Sequence, residues 1–345
     1  MLFFMKLPQK LQAWTAIAPG KELKLQEFTI KPLASTEVAI AVEYCGVCHS
    51  DLHLIDNDWE ISKYPLVPGH EIMGKVIAIG SQVKNTPIGA VVGVGWQRSS
   101  CGHCYECKTG HDNMCNESHA TCIGHRGGFA DIHITEENYC FIMPELLQRP
   151  EAAPLLCGGI TVYSPLREFL RGKKDPTVGI VGMGGLGHLA IKFAHAMGAK
   201  VAVFSSSLDK KNDAINFGAS EFVITKNPDE IAKIGRKLDL VLVTANVDLP
   251  WDEYLKTLRV DGTLCFVGIP PSPYILDIGR ILGKRLRISS SPIGSRKEIE
   301  EMLNFANIHQ VLATIEQSPM ENIKQILQRM KKNQVHYRAV CKISR

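Results

Sequence analysis

The spacing of hydrophobic positions changes along the chain. Between residues 35 and 150, short apolar runs separated by glycines dominate, for example at residues 38–42 and 74–80. Helical periods are few in this stretch. Short apolar runs bounded by turn residues are typical of strands. The first part of the chain is therefore predicted to be a β-rich domain.

From about Pro176 the pattern alternates between short apolar runs and segments long enough for a helix. A helical stretch from Leu186 to Met197 separates the first two runs. The runs occupy residues 177–181, 201–204, 222–224, 240–243 and 264–267. Alternating units with uniformly apolar strands predict a parallel sheet covered on both faces, which is an α/β arrangement.

After about residue 293 the alternation ends. Two amphipathic helices are predicted, roughly at 296–307 and 320–331, and a strand-like segment follows at 337–341. A chain of 345 residues is long enough for two domains, each with its own core.

Charge and hydropathy exclude several classes of partner. The net charge is only +4, from 39 basic and 35 acidic residues, and no long basic run is present, so no nucleic-acid partner is expected. No apolar stretch approaches the length of a membrane span. The apolar residues 1–5 are short and lack a small-residue cleavage site after them, which argues against a signal peptide. We therefore expect a cytoplasmic protein without a membrane partner.

Cysteines give the first chemical signal. The chain has eleven, and four of them lie within fifteen residues: Cys101, Cys104, Cys107 and Cys115. Disulfides are rare in a reducing cytosol, so metal binding is the better interpretation. Four thiolates form a closed tetrahedral zinc site of the structural kind, here in a lobe at about 98–116. An iron–sulfur cluster is the alternative, and His103 and His111 are available as substitute ligands.

A second set of metal-binding side chains lies outside this cluster. A catalytic zinc needs three protein ligands and one exchangeable position, and Cys48, His70 and Cys157 can supply the three. The open position would polarise a carbonyl or acidify an alcohol. Glu71 can bind the metal transiently, and Asp51 can accept a hydrogen bond from the imidazole.

A glycine loop directly follows the predicted strand at 177–181 and opens a helix, as a dinucleotide-binding loop does. In such a loop Gly182 allows the tight turn, Gly184 lets the backbone approach a pyrophosphate, and Gly187 lets helix and strand pack closely. Gly185 and Leu186 complete the loop. The helix N-terminus then faces the phosphates.

The end of the next strand bears on the choice of cofactor. NAD enzymes place a carboxylate about twenty residues beyond the loop, where this chain has Ser206 and then Ser207. Hydroxyls together with Lys210 and Lys211 suit the 2′-phosphate of NADP(H), because they bring donors and positive charge. Two alternatives remain at this point: Asp209 binds a ribose, or the lysines only form a solvated helix face.

These motifs together resemble the cinnamyl-alcohol-dehydrogenase branch of the zinc-dependent medium-chain alcohol dehydrogenases, most of all bacterial NADPH-dependent broad-range aldehyde reductases. The resemblance covers nearly the whole chain from about residue 30. It rests on the cysteine cluster, the glycine loop and the segments at 45–53, 64–71 and 155–163. It implies a GroES-like catalytic domain over residues 1–157, a Rossmann NADP-binding domain over 158–292 and a return to the first domain over 293–345.

The resemblance also implies individual roles. Cys48, His70 and Cys157 would bind the catalytic zinc, with Glu71 as an alternating ligand. Ser50 would take the alcohol proton and pass it through the nicotinamide ribose to His53, and Asp58 matches an acidic residue assigned to this relay.

Further roles concern the cofactor and the substrate. By resemblance, His49 and Arg338 would approach the cofactor pyrophosphate, and Thr161 would lie beside the cofactor. Trp59 and Trp96 would line the substrate pocket.

The predicted function is reversible reduction of small-molecule aldehydes to primary alcohols by NADPH, with two Zn²⁺ per chain and a homodimeric state by resemblance. One alternative is an NAD-dependent polyol or secondary alcohol dehydrogenase, against which the serines after the second strand argue. Another is a catalytically silent zinc protein that binds NADPH, against which the complete set of ligands and relay hydroxyls argues.

Overall fold

The computed structural model describes residues 7–275 and 277–343. The apolar residues 1–5, which are not expected to form a signal peptide, lie outside these ranges. Within them, no helix is both long and apolar enough to cross a membrane. Contacts divide the chain into two compact units: one runs up to Cys157 and resumes at Ser295, and the other is Gly158–Gly294.

The strands, in chain order, are β1 (Lys10–Thr15), β2 (Lys24–Thr29), β3 (Glu37–Val47), β4 (Glu71–Ile79), β5 (Val91–Val94), β6 (Gln97–Ser99), β7 (His119–Ala120), β8 (Ile132–Glu136), β9 (Phe141–Ile142), β10 (Thr177–Val181), β11 (Lys200–Ser205), β12 (Glu221–Ile224), β13 (Leu238–Val243), β14 (Leu258–Phe266), β15 (Arg287–Ser290), β16 (Ile315–Pro319) and β17 (Arg338–Lys342). The α-helices are α1 (His49–Asp56), α2 (Tyr105–Lys108), α3 (Gly158–Leu170), α4 (Gly187–Ala196), α5 (Lys211–Asn216), α6 (Pro228–Ala232), α7 (Trp251–Thr257), α8 (Ile278–Leu282), α9 (Arg296–His309) and α10 (Ile323–Lys331). Short 3₁₀ turns occur at Asp112–Met114, Glu137–Tyr139, Glu145–Leu147, Pro150–Leu156, Leu208–Lys210 and Met320–Asn322.

The main sheet of the first unit is built around β3, whose apolar residues are largely buried. Its order is β16-β17-β3-β4-β5-β9, with β8 also paired to β3. Both β4 and β17 run antiparallel to β3, with Gly46 opposite Glu71 and Val47 opposite Ala339. The end of β3 therefore lies beside the beginnings of β4 and β17, and this brings three distant parts of the chain together.

Helix α1 begins directly after β3. Its first turn is fixed by Asp51, whose carboxylate accepts a hydrogen bond from the backbone N–H of Cys48 at 2.9 Å. The helix ends at Asn57, which adopts a left-handed conformation (φ 62°). The short helix thus carries Ser50 and His53 close to the end of β3.

The second unit contains a sheet of the order β12-β11-β10-β13-β14-β15, in which all neighbouring strands are parallel. The predicted parallel sheet is confirmed, and its order is that of a doubly wound domain. In such a sheet, ligands bind at the carboxyl ends of the strands. The glycine loop follows β10 at that edge, and Ser206 follows β11.

Strands β15 and β16 were not predicted from the sequence, and neither were β1 and β2, which precede the predicted β-rich stretch. Strand β15 carries Arg287 and two serines, and β16 reads Ile-Glu-Gln-Ser-Pro, so neither shows an apolar run. Each is stabilised by pairing with a neighbour, β15 with β14 and β16 with β17. The predicted terminal helices are present as α9 and α10.

Candidate active site

The predicted catalytic ligands are brought together in the first unit. The ligand atoms of Cys48, His70, Glu71 and Cys157 all lie within 4.8 Å of one another. Cys48 follows β3, His70 precedes β4, and Cys157 ends the 3₁₀ turn Pro150–Leu156. His70, Glu71 and Cys157 are buried, whereas Cys48 is partly exposed.

Asp51 bonds to two of the segments that carry predicted ligands. One carboxylate oxygen lies 3.2 Å from Nδ1 of His70 and also accepts the Gly69 N–H at 2.9 Å. The other accepts the backbone N–H of Cys48. Burial disfavours the charged imidazole, but the Asp51 carboxylate and Cys157 hold the pKa of His70 well above its usual value. Bonding Nδ1 to Asp51 leaves Nε2 of His70 as the donor atom for a metal.

The chemistry of the donor set fits zinc. Nε2 of His70 is buried and has no hydrogen-bond partner among the described residues. The hydrogen bond with Cys157 lowers the pKa of Cys48 well below that of an ordinary thiol, while the same contact raises the pKa of Cys157. The contact with Cys157 therefore favours the thiolate form of Cys48. A divalent cation would favour thiolates at both sulfurs, and two thiolates with one imidazole leave the fourth tetrahedral position open.

Glu71 is paired with Arg338 at the back of this site. Nη2 of Arg338 donates to Oε1 of Glu71, and both side chains are buried. Burial raises the pKa of Glu71, against the opposing effect of Arg338. A Cβ at Gly46 would lie 2.0 Å from Oε2 of Glu71, so the carboxylate requires a glycine on the neighbouring strand. The structure places Arg338 in this ion pair, and its contact with a cofactor pyrophosphate stays a prediction.

The predicted relay residues lie on and just after α1. Oγ of Ser50 is 3.7 Å from Sγ of Cys48. Nδ1 of His53 lies 2.7 Å from a carboxylate oxygen of Asp58, at a partly exposed position. With Nδ1 engaged by Asp58, Nε2 of His53 is the nitrogen available for proton exchange. His49, the first residue of α1, is exposed.

Aromatic side chains form a wall beside the predicted metal ligands. The ring of Trp96 stands edge-on to His70 with centroids 5.0 Å apart, and Trp59 stands edge-on to Trp96 at 6.2 Å. The ring of Trp59 also lies 5.0 Å from that of His53. The two tryptophans therefore connect His70 to His53 along one apolar surface.

The four-cysteine cluster forms a separate site. Its four sulfurs lie within 4.8 Å of one another. Backbone N–H groups of His103 and Cys104 donate to Sγ of Cys101 and lower the pKa of that thiol to about 6. The ring of His103 instead bonds the carbonyl oxygen of Cys101 at 2.9 Å. Four thiol ligands with backbone N–H donors fit a closed zinc site without a substrate position.

Two residues near these sites were missed by sequence reasoning. Asp112, in the cysteine lobe, accepts the backbone N–H of Arg296 at 3.3 Å and so joins the lobe to the start of α9. Cys122 is fully buried, and its Sγ donates to the carbonyl oxygen of Gly69 at 3.2 Å. Neither residue belongs to a spaced motif, so the sequence carries no signal for its role.

In the second unit, the glycine loop has the geometry that its spacing predicts. Gly182 has φ 91°, and a Cβ at Gly187 would lie 2.1 Å from the carbonyl oxygen of Gly182. A Cβ at Gly184 would meet nothing within 4 Å, so that backbone is open to a ligand. Gly185 and Leu186 are partly exposed beside it. The loop can therefore receive a phosphate group at the start of α4.

The predicted 2′-phosphate residues lie near this loop. Nζ of Lys210 donates to the carbonyl oxygen of Met183 at 2.9 Å. Ser206 is exposed and Ser207 is partly exposed, and Lys211, which begins α5, is exposed. The side chain of Asp209 is engaged by Ser207, whose hydrogen bond lowers the pKa of this carboxyl. Thr161 lies within α3 and is buried.

Comparison with protein families gives matches in both parts of the chain. Residues 34–145 match the alcohol dehydrogenase GroES-like domain, and residues 185–307 match the zinc-binding dehydrogenase family. An aldehyde reductase from Synechocystis is 38% identical over 335 residues, which cover 97% of this chain and 99% of that protein.

Solved structures agree with these matches. A cinnamyl alcohol dehydrogenase from Sorghum bicolor has a TM-score of 0.92 and 34% identity, covering 96% of this chain and 97% of the other. A CAD from Helicobacter pylori, solved in complex with NADP(H), has a TM-score of 0.87 and 32% identity, covering 96% of this chain and 98% of the other.

Proposed function

Because the chain belongs to the zinc-dependent medium-chain alcohol dehydrogenases, in the cinnamyl-alcohol-dehydrogenase branch, we propose that it reversibly reduces aldehydes to primary alcohols with hydride from NADPH. The observation that carries this proposal is the convergence of Cys48, His70 and Cys157 within 4.8 Å, with Nε2 of His70 buried and unpartnered among the described residues.

These three side chains would hold one Zn²⁺, and the four-cysteine cluster would hold a second. Zinc in the first set would supply a Lewis acid that polarises a carbonyl oxygen. Asp51 keeps the His70 imidazole in the orientation that such a ligand needs. Glu71, whose carboxylate is paired with Arg338, would be the alternating ligand that takes the place of the substrate.

Proton movement would start at Ser50. Its Oγ lies beside Cys48, so its O–H would be placed to donate to the carbonyl oxygen of an aldehyde held in this site. His53 would take a proton from solvent and supply it through Nε2 to replace the one that Ser50 donates. Nε2 is the free nitrogen because Asp58 holds Nδ1, and the ring is about one-third exposed to solvent. General acid catalysis of this kind contributes about 10²–10⁴-fold to a rate.

The substrate pocket would be lined by Trp59 and Trp96. Their edge-on packing against His53 and His70 presents apolar surface next to the ligands. Such a wall favours aldehydes with an apolar or aromatic body and excludes water from the reacting carbon.

The cofactor would be bound by the second unit. The open backbone at Gly184 would receive the pyrophosphate of either cofactor. Two features support NADPH over NADH: the hydroxyls of Ser206 and Ser207, and the ammonium group of Lys210 beside the loop. The NADP(H) complex of the Helicobacter relative agrees with this choice. Lys211, Thr161 and His49 complete the proposed cofactor contacts.

We also propose a cytoplasmic homodimer. The support for the compartment is chemical, since both proposed zinc sites need reduced thiolates. The dimer follows the resemblance to relatives. Sedimentation of the purified protein tests the subunit count.

The decisive experiment follows NADPH and NADH absorbance with a panel of aldehydes, and in the reverse direction with primary alcohols and polyols. Elemental analysis of the same preparation counts the metals. We expect two zincs per chain and turnover of aldehydes with NADPH. Faster turnover of polyols with NAD would favour the polyol dehydrogenase, and NADPH binding without any turnover would favour the silent protein.

A further inference from the structure

Cys122 lies behind the turn that carries the ligand His70. Its side chain is fully buried, and Sγ donates to the carbonyl oxygen of Gly69 at 3.2 Å. Gly69 directly precedes His70, so this contact acts on the backbone from which the imidazole projects. Sγ of Cys122 also lies within 4.8 Å of the ligand atoms of His70 and Asp51.

The same turn is held from its other side by Asp51. The Asp51 carboxylate accepts the Gly69 N–H at 2.9 Å, while the Gly69 carbonyl accepts from both Sγ of Cys122 and the backbone N–H of Gly128, the latter at 2.7 Å. Gly69 has φ 96°, and a Cβ there would lie 2.6 Å from the ring of Phe129. The turn is therefore closely packed, and both backbone polar groups of Gly69, its N–H and its C=O, are hydrogen-bonded.

The residue before Cys122 is bonded to the aromatic wall. The backbone N–H of Thr121 donates to the carbonyl oxygen of Trp96 at 2.7 Å, and Oγ1 donates to that of Gly95 at 2.6 Å. Thr121 is fully buried. The pair Thr121–Cys122 thus joins the bend between β5 and β6, which carries Trp96, to the turn that carries His70.

We propose that Cys122 is a positioning residue, which sets the direction of His70 Nε2 relative to Cys48 and Cys157 by anchoring the Gly69 carbonyl. This inference rests on the proposed function. Sγ of Cys122 is grouped with Asp51 and His70 and not with Cys48, Glu71 and Cys157, so Cys122 is placed to hold His70 rather than to complete the predicted ligand set. Partners that orient a metal-bound histidine typically change metal affinity or activity by about 10–100-fold when removed.

The test measures zinc release to the colorimetric chelator 4-(2-pyridylazo)resorcinol from the purified holoenzyme. Wild type is expected to release two zincs in two phases, and the phase absent from His70→Ala belongs to the catalytic set. Cys122→Ala, which removes the donor, should accelerate that phase by about 10-fold or more and leave the cluster phase unchanged. Cys122→Ser, which keeps a donor, should return the rate toward that of wild type.

Cys140→Ala is the matched control, because it also removes the thiol of a buried cysteine in the first unit. If Cys122→Ala releases zinc no faster than Cys140→Ala, the positioning role is overturned. If Cys122→Ala does not fold, Cys122→Val keeps the bulk without the donor and gives the same comparison. A wild-type protein that holds zinc only in the cluster overturns the proposed function instead, and this result appears before any Cys122 variant is measured.

Discussion

The carboxylate of Asp51 lies 3.2 Å from Nδ1 of His70, and neither side chain is exposed. The same carboxylate accepts the backbone N–H groups of Cys48 and Gly69. One buried acid therefore orders two ligand-bearing segments that come from different strands. Its loss is expected to affect the metal before it affects the substrate.

Asp51→Asn should weaken zinc at the catalytic set by about 10–100-fold, because the amide cannot reproduce all three acceptor contacts and lacks the charge that favours the imidazole N–H. Zinc content after dialysis against a chelator measures the change. Asp58→Asn is the control, since Asp58 contacts His53 at a partly exposed position. Equal zinc retention in both variants would show that Asp51 does not support the metal site.

Ser50→Ala should lose about 10²–10⁴-fold in kcat, because its hydroxyl is the nearest proton donor proposed for the substrate oxygen. His53→Gln should lose less, since solvent can replace a partly exposed terminal base. Zinc content and NADPH binding, measured in parallel, should match wild type. An unchanged kcat in Ser50→Ala would remove Ser50 from the mechanism.

Arg338→Met should lower the free energy of unfolding by about 3–5 kcal/mol, because it leaves the buried Glu71 carboxylate without its partner. The double variant Glu71→Gln with Arg338→Met should recover part of this loss. Urea unfolding of the apoprotein measures both. Arg285→Met, which breaks the exposed pair with Asp261, should change stability little. Similar losses in the two single variants would contradict the buried pair.

Ser206→Asp should reverse or erase the preference for NADPH, mainly through KM, because a carboxylate repels the 2′-phosphate. A charge-assisted hydrogen bond contributes about 1.5–3 kcal/mol, so wild type should favour NADPH by roughly 10- to 150-fold in kcat/KM. Ser81→Asp adds the same charge at an exposed residue of the first unit and should leave the preference intact. Equal use of NADH by wild type would contradict this prediction and favour Asp209 as a ligand of the cofactor ribose.

His133 should make the protein less stable in mild acid. Burial, followed by the charge of Arg98, lowers the pKa of His133 from 6.5 to about 3. The folded state thus binds its proton only near pH 3, whereas the unfolded chain binds it below about 6.5, so stability is present above 6.5 and falls as the pH drops toward 3. Between about pH 7 and pH 5 this residue should cost about 2 kcal/mol.

The measurement is the unfolding free energy of wild type and His133→Gln at both pH values. Wild type should lose about 2 kcal/mol more than the variant over this interval. An equal loss would assign the acid sensitivity to other groups, the cysteine and histidine ligands among them.

Local spacing was enough to predict two features. The cysteine cluster closes within fifteen residues from Cys101 to Cys115, and the glycine loop spans one turn between β10 and α4. The backbone of such short segments allows few arrangements, so residue types at set intervals already imply the geometry. The apolar runs of β10 and β13 likewise predicted the parallel sheet.

Tertiary structure decided the rest of the site. Whether Cys48 and His70 meet depends on the pairing of β3 with β4, and the contact of Glu71 with Arg338 spans 267 positions of sequence. Cys122 gives no signal in the sequence. A single cysteine outside a spaced motif looks the same in sequence whether its side chain fills a core or holds a turn. Such contacts are set by strand register and packing, which depend on pairing across the whole chain and not on the identity of neighbouring residues.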